Sequence, residues 1–402
     1  MRRVSEAILT VLAEAIGLDV RDPQTRVPGQ LVQDVLELSR QFTRERGKAP
    51  MPYLEDRRLA AAYLAYFVPV NVAKVQELLD ELSPAFECGQ DGVVRVLELG
   101  SGPGTGVMGV LDWAWSTGLL KSCALECTAV DRSKQALSTC AELWRSYTRG
   151  RHIEQQATLR TMCRDVQQGL GPDMSRACGS CGYDLILMQN TLSELFVELK
   201  TDRIGARVGL VAEVLKMLSE HGTLMLIEPA LRDSSRGLHE VRDRLLKAIH
   251  CTLYSPCLHE APCPALTKPT DWCHEERAWI PPEWIRSLDR KAGFIKDSLK
   301  FSYALLRKDG RTVVERSPHL YRVVSELRVM KGEKRAWLCD AQGRPEVGRQ
   351  DRLTSPRNAA VDDWHRGAIV SISEIVRKER HGRLSTVGRI ESDTAVQIIR
   401  ST

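Results

Sequence analysis

At 402 residues, with 43% hydrophobic residues and a net charge of +5, the chain has room for two or three modules and material for a sizeable core. No run of eighteen apolar residues occurs, so no transmembrane span is expected. Twelve cysteines in a chain without a secretory cleavage site argue for metal ligands and buried thiols over a disulfide framework.

The first twenty residues, MRRVSEAILTVLAEAIGLDV, carry Glu6, Glu14 and Asp19, acids that a transit peptide would avoid. A bacterial-type cytoplasm is therefore the expected compartment. Apolar positions Val4, Ile8, Leu9, Leu12 and Ile16 recur at helical spacing, and 30–45 and 55–82 also predict helices. In the last of these, Leu59, Ala62, Tyr63, Tyr66 and Phe67 form a stripe before Pro69. Val72, Val75, Leu78 and Leu79 then resume it. Residues 1–88 are expected to be a helical N-terminal region, its aromatic stripe buried in the core.

At 93 the texture changes. VVRVLELGSGPGTG is an apolar run closing on a glycine-rich turn, with a helix predicted at about 105–119. LECTAVDRS (125–133) predicts a second strand ending at Asp131, followed by a helix over 133–149. TLRTMCRDV (158–166) predicts a third, ending near Asp165, and YDLILMQN (183–190) a fourth, with a helix over 192–219. GTLMLIEPA (222–230) is the fifth, and after a helix at 282–292, residues 294–308 fit a final strand pair. Strands alternating with helices imply a mainly parallel sheet covered on both faces, spanning 89–310. After 315 the alternation stops, and short strand-like pieces around Gly332 and Gly343 suggest a small β-rich module over 311–375. Residues 376–402 are expected to be a charged, partly flexible tail.

Charge is unevenly placed. Residues 301–402 hold 20 Lys/Arg against 13 Asp/Glu, whereas the first 300 hold 37 against 39. A basic C-terminal third points to a polyanion, RNA being the obvious one, and a solvated basic tail fits this feature equally well.

Gly100, Gly102, Gly104 and Gly106 follow the first strand directly, with Glu98 before them. Glycines serve where backbone must approach a ligand or take positive φ, and the helix behind them offers free N–H groups. The spacing is not G-x-G-x-x-G, and no lysine suits a phosphate-cradling loop. E-x-G-x-G-x-G instead resembles motif I of the class I S-adenosylmethionine-dependent methyltransferases. The resemblance implies a class I methyltransferase (Rossmann-like) sheet and S-adenosyl-L-methionine as cofactor, bound by Glu98, Gly100, Ser101, Gly102, Gly104 and Gly106. Asp131, 25 residues after Gly106, would hold the ribose hydroxyls, and Asp165 would stand near the adenine amino group. A degenerate sheet that keeps the fold without the ligand is the competing reading. The fourth strand ends in Gln189-Asn190-Thr191-Leu192, not in the Asn/Asp-Pro-Pro-Tyr/Phe of amino-group methyltransferases, and Glu228-Pro229 ends the fifth. No catalytic residue is assigned, since methyl transfer can rest on positioning.

Residues 251–275, CTLYSPCLHEAPCPALTKPTDWCHE, hold Cys251, Cys257, Cys263 and Cys273 with His259 and His274. Pro256, Pro262, Pro264 and Pro269 keep helix or strand from running through, so something other than ladders must fix the shape. Thiolates closing on a metal centre would do so; an ordinary proline-rich loop with incidental cysteines is the alternative. Pro256-Cys257-Leu258-His259 through Cys263-Pro264, then Asp271-Trp272-Cys273-His274, resembles the methyltransferase-like proteins of the small ribosomal subunit. These occur in bacteria, and in mitochondria as ribosome assembly factors. Leu258 stands where that family has proline, and its later cysteine matches Cys339 in Trp337-Leu338-Cys339-Asp340-Ala341-Gln342-Gly343. The resemblance runs from about 51 to 370 and takes in Glu228-Pro229 and Trp364-x-x-Gly367.

That resemblance implies a [4Fe–4S] cluster on Cys257, Cys263, Cys273 and Cys339. Gaps of 6, 10 and 66 residues do not match a zinc ribbon, and cubane corners allow freer spacing. Cys251, at the end of an amphipathic segment, is the rival fourth ligand and is read as a buried thiol. His259 and His274 are read as hydrogen-bonding groups. Cys178-Gly-Ser-Cys181 is read as a turn before strand four, with zinc or redox activity the alternative, and Cys88, Cys123, Cys127, Cys140 and Cys163 as core or surface thiols. The expected partners are the small ribosomal subunit and its rRNA, with no membrane, and a monomer off the ribosome. The function expected is binding or methylating rRNA during assembly or translation; a scaffold without methyl transfer is the alternative. A radical S-adenosylmethionine enzyme would need C-x₃-C-x₂-C, which is absent.

Overall fold

The N-terminal stripes fold as α1 (Glu6–Ile16), α2 (Gly29–Thr43), α3 (Arg57–Ala62) and α4 (Val68–Leu82) in a computed structural model. It describes residues 1–18, 27–43, 53–89, 91–177, 179, 181–380 and 383–401. A π turn, Tyr63–Phe67, joins α3 to α4. Pro69 has no N–H to offer the Ala65 carbonyl one turn back, so the backbone widens there. The Trp284 indole N–H takes that carbonyl instead, at 2.8 Å. Buried Asp112 then gathers the bundle: the Gln76 amide and the Tyr147 hydroxyl both donate to it, each at 2.7 Å.

The apolar runs form five parallel strands, β1 (Val93–Leu99), β2 (Ala124–Asp131), β3 (Ala157–Cys163), β4 (Tyr183–Gln189) and β5 (Leu218–Pro229). Their order is β3-β2-β1-β4-β5. Glu98 of β1 lies opposite Ala129 of β2 and Leu187 of β4, which puts the ends of these strands at one edge. Val96, Leu97 and Leu185 to Met188 are fully buried, as strands covered on both faces must be. Helices α5 (Thr105–Ser116), α6 (Lys134–Arg151), α7 (Gly171–Ala177) and α8 (Arg203–Lys216) accompany them. This is the class I S-adenosylmethionine-dependent methyltransferase fold.

The chain divides into two units, Met1–Leu231 with Arg277–Leu299, and Arg232–Glu276 with Lys300–Thr402. The cysteine-rich stretch thus groups with the C-terminal residues, whereas the sequence suggested an insertion within the 89–310 sheet domain. The second unit begins with α9 (Arg232–Ala248). The later strands are β6 (Thr252–Ser255), β7 (Glu275–Ala278), β8 (Ser298–Arg307), β9 (Leu320–Val323), β10 (Arg328–Met330), β11 (Glu333–Cys339), β12 (Glu346–Gln350), β13 (Ile369–Ile372), β14 (Val376–Arg380), β15 (Arg383–Ile390) and β16 (Val396–Arg400). The last eight make one sheet, ordered β14-β15-β12-β11-β9-β13-β16 with β10 beside β11. Val323, Leu338, Val347, Trp364, Val370 and Ile372 form its core.

Four expectations change. Residues 376–402 are not a tail: Val370 of β13 pairs with Ile398 of β16, and β15 runs parallel to β12, so this segment completes the sheet. The helix expected over 192–219 begins only at Arg203, because buried Arg207 donates to the carbonyls of Ser193 and Leu195 and holds that stretch as a loop. In place of a strand pair at 294–308 there is one strand, β8, antiparallel to β6. Cys88 and Cys123, with Cα atoms 6.7 Å apart, are joined in a disulfide instead of standing as thiols. Cys178 lies outside the described residues. No helix among the described residues is long and apolar enough to cross a membrane.

Candidate functional site

At the end of β1, Gly100, Gly102 and Gly104 all take positive φ, +70°, +51° and +83°. The Gly100 and Ser101 amides donate to the Val130 carbonyl at 2.8 and 3.0 Å, bending the turn against β2. Asp131 closes it, one carboxylate oxygen accepting from the Gly102 amide and the other from the Ser133 amide, each at 2.8 Å. Glu98 sits beneath the turn, 1% exposed, its two oxygens accepting from the Gly106 and Val107 amides at 2.9 Å. Burial pushes this carboxyl up to about 8, the two amides opposing and Asp131 adding. Glu98 therefore buttresses the start of α5. Asp165 is held locally, accepting from the Gln167 amide at 2.9 Å.

Sequence reasoning missed the residues that α4 brings to this edge. Lys74, 7% exposed, donates to Asn71 Oδ1 at 3.0 Å. The Gln189 side-chain N–H donates to the Asn71 carbonyl at 2.9 Å. Gln189 Oε1 and, in the next residue, Asn190 Oδ1 are buried, and neither meets a donor among the described residues. Asn190 itself takes φ +56°, uncommon without glycine. Thr191 then ties this segment to the glycine turn, its hydroxyl 3.2 and 3.3 Å from the Leu99 and Gly100 carbonyls. The available signal was α4 itself: 13 of its 15 residues are buried, and Asn71 and Lys74 are polar members of a helix with almost no wet face. Positive-φ glycines, Asp131 and buried oxygens awaiting donors together fit a small polar cofactor. None of them lines the 1080 Å³ groove bounded by Val166, Phe196, Leu210 and Met217.

The second unit holds Cys251, Cys257, Cys263, Cys273 and Cys339. Side chains of α9 satisfy the backbone that its prolines left without a ladder. Arg236 donates to the carbonyls of Lys268 and Asp271, both at 2.8 Å, and Arg242 to those of Ala261 and His259, both at 2.6 Å. Asp243 accepts from the Cys263 amide at 2.8 Å, and Ser302 donates to the Cys273 carbonyl at 2.9 Å. β11 delivers Cys339, followed by a tight turn in which Asp340 accepts from the Gln342 and Gly343 amides.

The four thiols are electrostatic neighbours. Burial pushes Cys339 up, with Cys257, Cys273 and Cys263 adding, and likewise Cys263, with Cys257 and Cys273 adding. Burial takes Cys273 up to about 11, Arg344 opposing. Cys251 is also raised to about 11 by burial, but its charged neighbour is Glu260 and none of the four cysteines. His259 Nε2 lies 3.8 Å from Cys339 Sγ, and His274 pairs with Glu276 at 3.1 Å. No three Cys, His, Asp or Glu side chains among the described residues stand close enough to share one metal ion.

Residues 57–354 match the family described as mitochondrial small ribosomal subunit Rsm22. No curated protein matches the chain. Among solved structures, the plantazolicin methyltransferase BpumL in complex with SAH is 10% identical, with 69% of this chain and 98% of that one covered and a TM-score of 0.36. A putative O-methyltransferase from Klebsiella pneumoniae is 10% identical over 76% of this chain and 92% of its own, with a TM-score of 0.34. A putative class I S-adenosylmethionine-dependent methyltransferase from Listeria monocytogenes is 10% identical over 76% and 90%, with a TM-score of 0.33.

Proposed function

Because the chain belongs to the mitochondrial small ribosomal subunit Rsm22 family, we propose that it binds the small subunit's rRNA during assembly. It would carry S-adenosyl-L-methionine at the glycine turn and a [4Fe–4S] cluster on Cys257, Cys263, Cys273 and Cys339. The observation that carries this reading is the gathering of Cys339 with three cysteines at least 66 residues earlier in one unit. Burial and their neighbours push the thiols of Cys263, Cys273 and Cys339 up, and a bound cationic centre would let them ionise as ligands. Such a centre supplies folding free energy and fastens the proline-rich stretch to β11. Arg242 and Arg344 would offset its negative charge.

At the glycine turn, Gly100, Ser101, Gly102, Gly104 and Gly106 would shape the cofactor seat, with Glu98 bracing it from below. Asp131 would accept from the ribose hydroxyls, and Asp165 would stand near the adenine. The bound cofactor supplies an electrophilic methyl group. The basic C-terminal third, with exposed Lys378 and Arg389 on β14 and β15, supports a polyanionic partner. A scaffold without methyl transfer is the second reading, favoured by the Gln189-Asn190-Thr191-Leu192 end of β4, which offers no proton acceptor of its own.

Anaerobic purification with iron and sulfide analysis tests the centre: about four of each per chain are expected, and none would overturn it. Crosslinking in cells followed by sequencing should recover small-subunit rRNA; reads spread over unrelated transcripts would defeat the ribosomal reading. Titration with S-adenosylmethionine separates enzyme from scaffold, and no binding at millimolar ligand leaves only the scaffold.

A further inference from the structure

The chain's positive charge is concentrated in two hairpins of the second unit. Residues 328–335 and 376–389 hold nine Lys/Arg against two Glu, so the rest of a chain that totals +5 is net −2. Across β10, β11, β12, β15 and β14, one row of opposed residues reads Arg328, Arg335, Gly348, Arg389 and Val376. Opposed residues share a face. Ala336 and Val347, the next pair along, point into the core, so the row lies on the side away from it. Gly348 gives Arg335 its place: a methyl group there would stand 2.7 Å from Arg335 Cγ, and its absence lets that side chain lie across β12. Glu333 and Glu346 pin Arg335 at 2.8 and 3.5 Å, and Glu346 also pairs with Arg328. Exposed Arg389 and Lys378 make no ion pair among the described residues. The next row on this face is Trp337, Glu346 and Val387, the first half-buried and the last 43% exposed.

Charge along an edge strand serves to deter pairing with another chain. Arg335 and Arg389 stand on β11 and β15, which have strands on both sides, so that role does not account for them. Cations beside flat apolar side chains match a single strand of nucleic acid, whose phosphates take the cations and whose unstacked bases take an aromatic ring. A duplex keeps its bases stacked inside and would leave Trp337 and Val387 without a counterpart. We infer that this face seats a single-stranded RNA segment, with Arg328, Lys378 and Arg389 on its phosphates and Trp337 beneath one base. From strand spacing, Arg328 and Arg389 stand about 14 Å apart, a gap that a run of nucleotides bridges. The inference rests on the rRNA reading above and gives that partner a place and a form on the chain.

The test is fluorescence anisotropy on the full chain, purified anaerobically, with a short labelled oligoribonucleotide of mixed sequence and the same strand annealed to its complement. Lys378→Glu with Arg389→Glu should weaken single-strand binding by about tenfold or more and lower the slope of log affinity against log salt by about 1.4, two phosphates at about 0.7 each. Lys121→Glu with Lys200→Glu, the same charge change on exposed residues of the first unit, should lose less than about threefold. Trp337→Leu should lose about fivefold or more at an unchanged salt slope, and Trp337→Phe should regain most of it. Iron content and melting curves accompany every variant, because Trp337 stands two residues from Cys339; if Trp337→Leu does not fold, the charge pair decides alone. Unchanged binding by the 378/389 pair, or an equal loss in the control pair, overturns the inference and leaves the rRNA reading standing. So does duplex bound as tightly as single strand. A 378/389 pair that binds RNA like wild type but no longer cosediments with small subunits would put a protein on this face, and a wild-type dimer that the pair dissolves would put a second copy there; either overturns it. Wild type that binds no RNA, small-subunit rRNA included, removes the rRNA reading and this inference together.

Discussion

Replacing Gly106 by alanine sets two effects of opposite sign against each other. Within a helix alanine is favoured over glycine by about 0.8–1 kcal/mol, so α5 alone would gain. A methyl group on Gly106, however, would stand 2.5 Å from Glu98 Oε1 and 2.7 Å from its Cδ. Glu98 cannot yield freely, since the Gly106 and Val107 amides both hold it at 2.9 Å. Overpacking costs about 1–3 kcal/mol, and displacing the carboxyl group, largely protonated at neutral pH because burial raises it to about 8, loses two hydrogen bonds worth about 0.5–1.5 kcal/mol each. The net expectation is a loss of about 1–5 kcal/mol, a sizeable share of an ordinary domain's stability. Gly209 of α8 is the matched control, because a methyl group there meets nothing within 4 Å. Gly209→Ala should stabilise by up to about 1 kcal/mol. Urea unfolding of both variants against wild type reads the difference. Gly106→Ala at or above wild-type stability would show that Glu98 does not brace the turn.

Cys339→Ser should bleach the visible absorption of the anaerobically purified protein, and Cys251→Ser should leave it; the reverse pattern would put the fourth ligand at 251. Arg242→Met removes two 2.6 Å bonds to the carbonyls of His259 and Ala261 from a side chain only 2% exposed. It should cost about 2–4 kcal/mol and lower iron content, and full iron loading would refute that role. Burial, with Lys296 adding and Glu228 opposing, lowers Lys74 to about 7, so its charged form is lost as pH rises through 7. Between about 7 and the usual lysine value the unfolded chain holds the proton that the folded one has lost, so this group should add stability as pH rises, by up to about 1.4 kcal/mol per unit; Lys74→Met should remove that rise in urea unfolding, and an unchanged profile would contradict it.

The parallel sheet was legible because each strand announces itself locally. The apolar runs ending at Leu99, Asp131 and Gln189 are short, and turns or helical periodicity bound them. The C-terminal strands were harder for the opposite reason. Val376–Arg380 reads VRKER and Val396–Arg400 reads VQIIR, and neither alternates cleanly, so no local pattern separates an edge strand from a solvated tail. What decides between them is the partner strand, β15 for one and β13 for the other, which no local window contains. The loop after β4 was lost similarly, to an arginine that reaches back from α8.

The same contrast separates the two halves of the candidate site. Glycines in a turn and cysteines among prolines are conspicuous because their chemistry is written in residue type. Lys74, Asn71 and Gln189 are ordinary residues made unusual by burial, and burial is a property of the packed helix α4. Arg236 and Arg242 belong with them, as they look like the solvated face of α9 until the proline-rich backbone arrives with carbonyls to satisfy. The candidate site is therefore marked twice, by residues conspicuous in the sequence and by ordinary residues that folding buries or sets against unladdered backbone. The second kind carries a sign, because a buried donor or acceptor calls for its opposite, whereas a glycine does not.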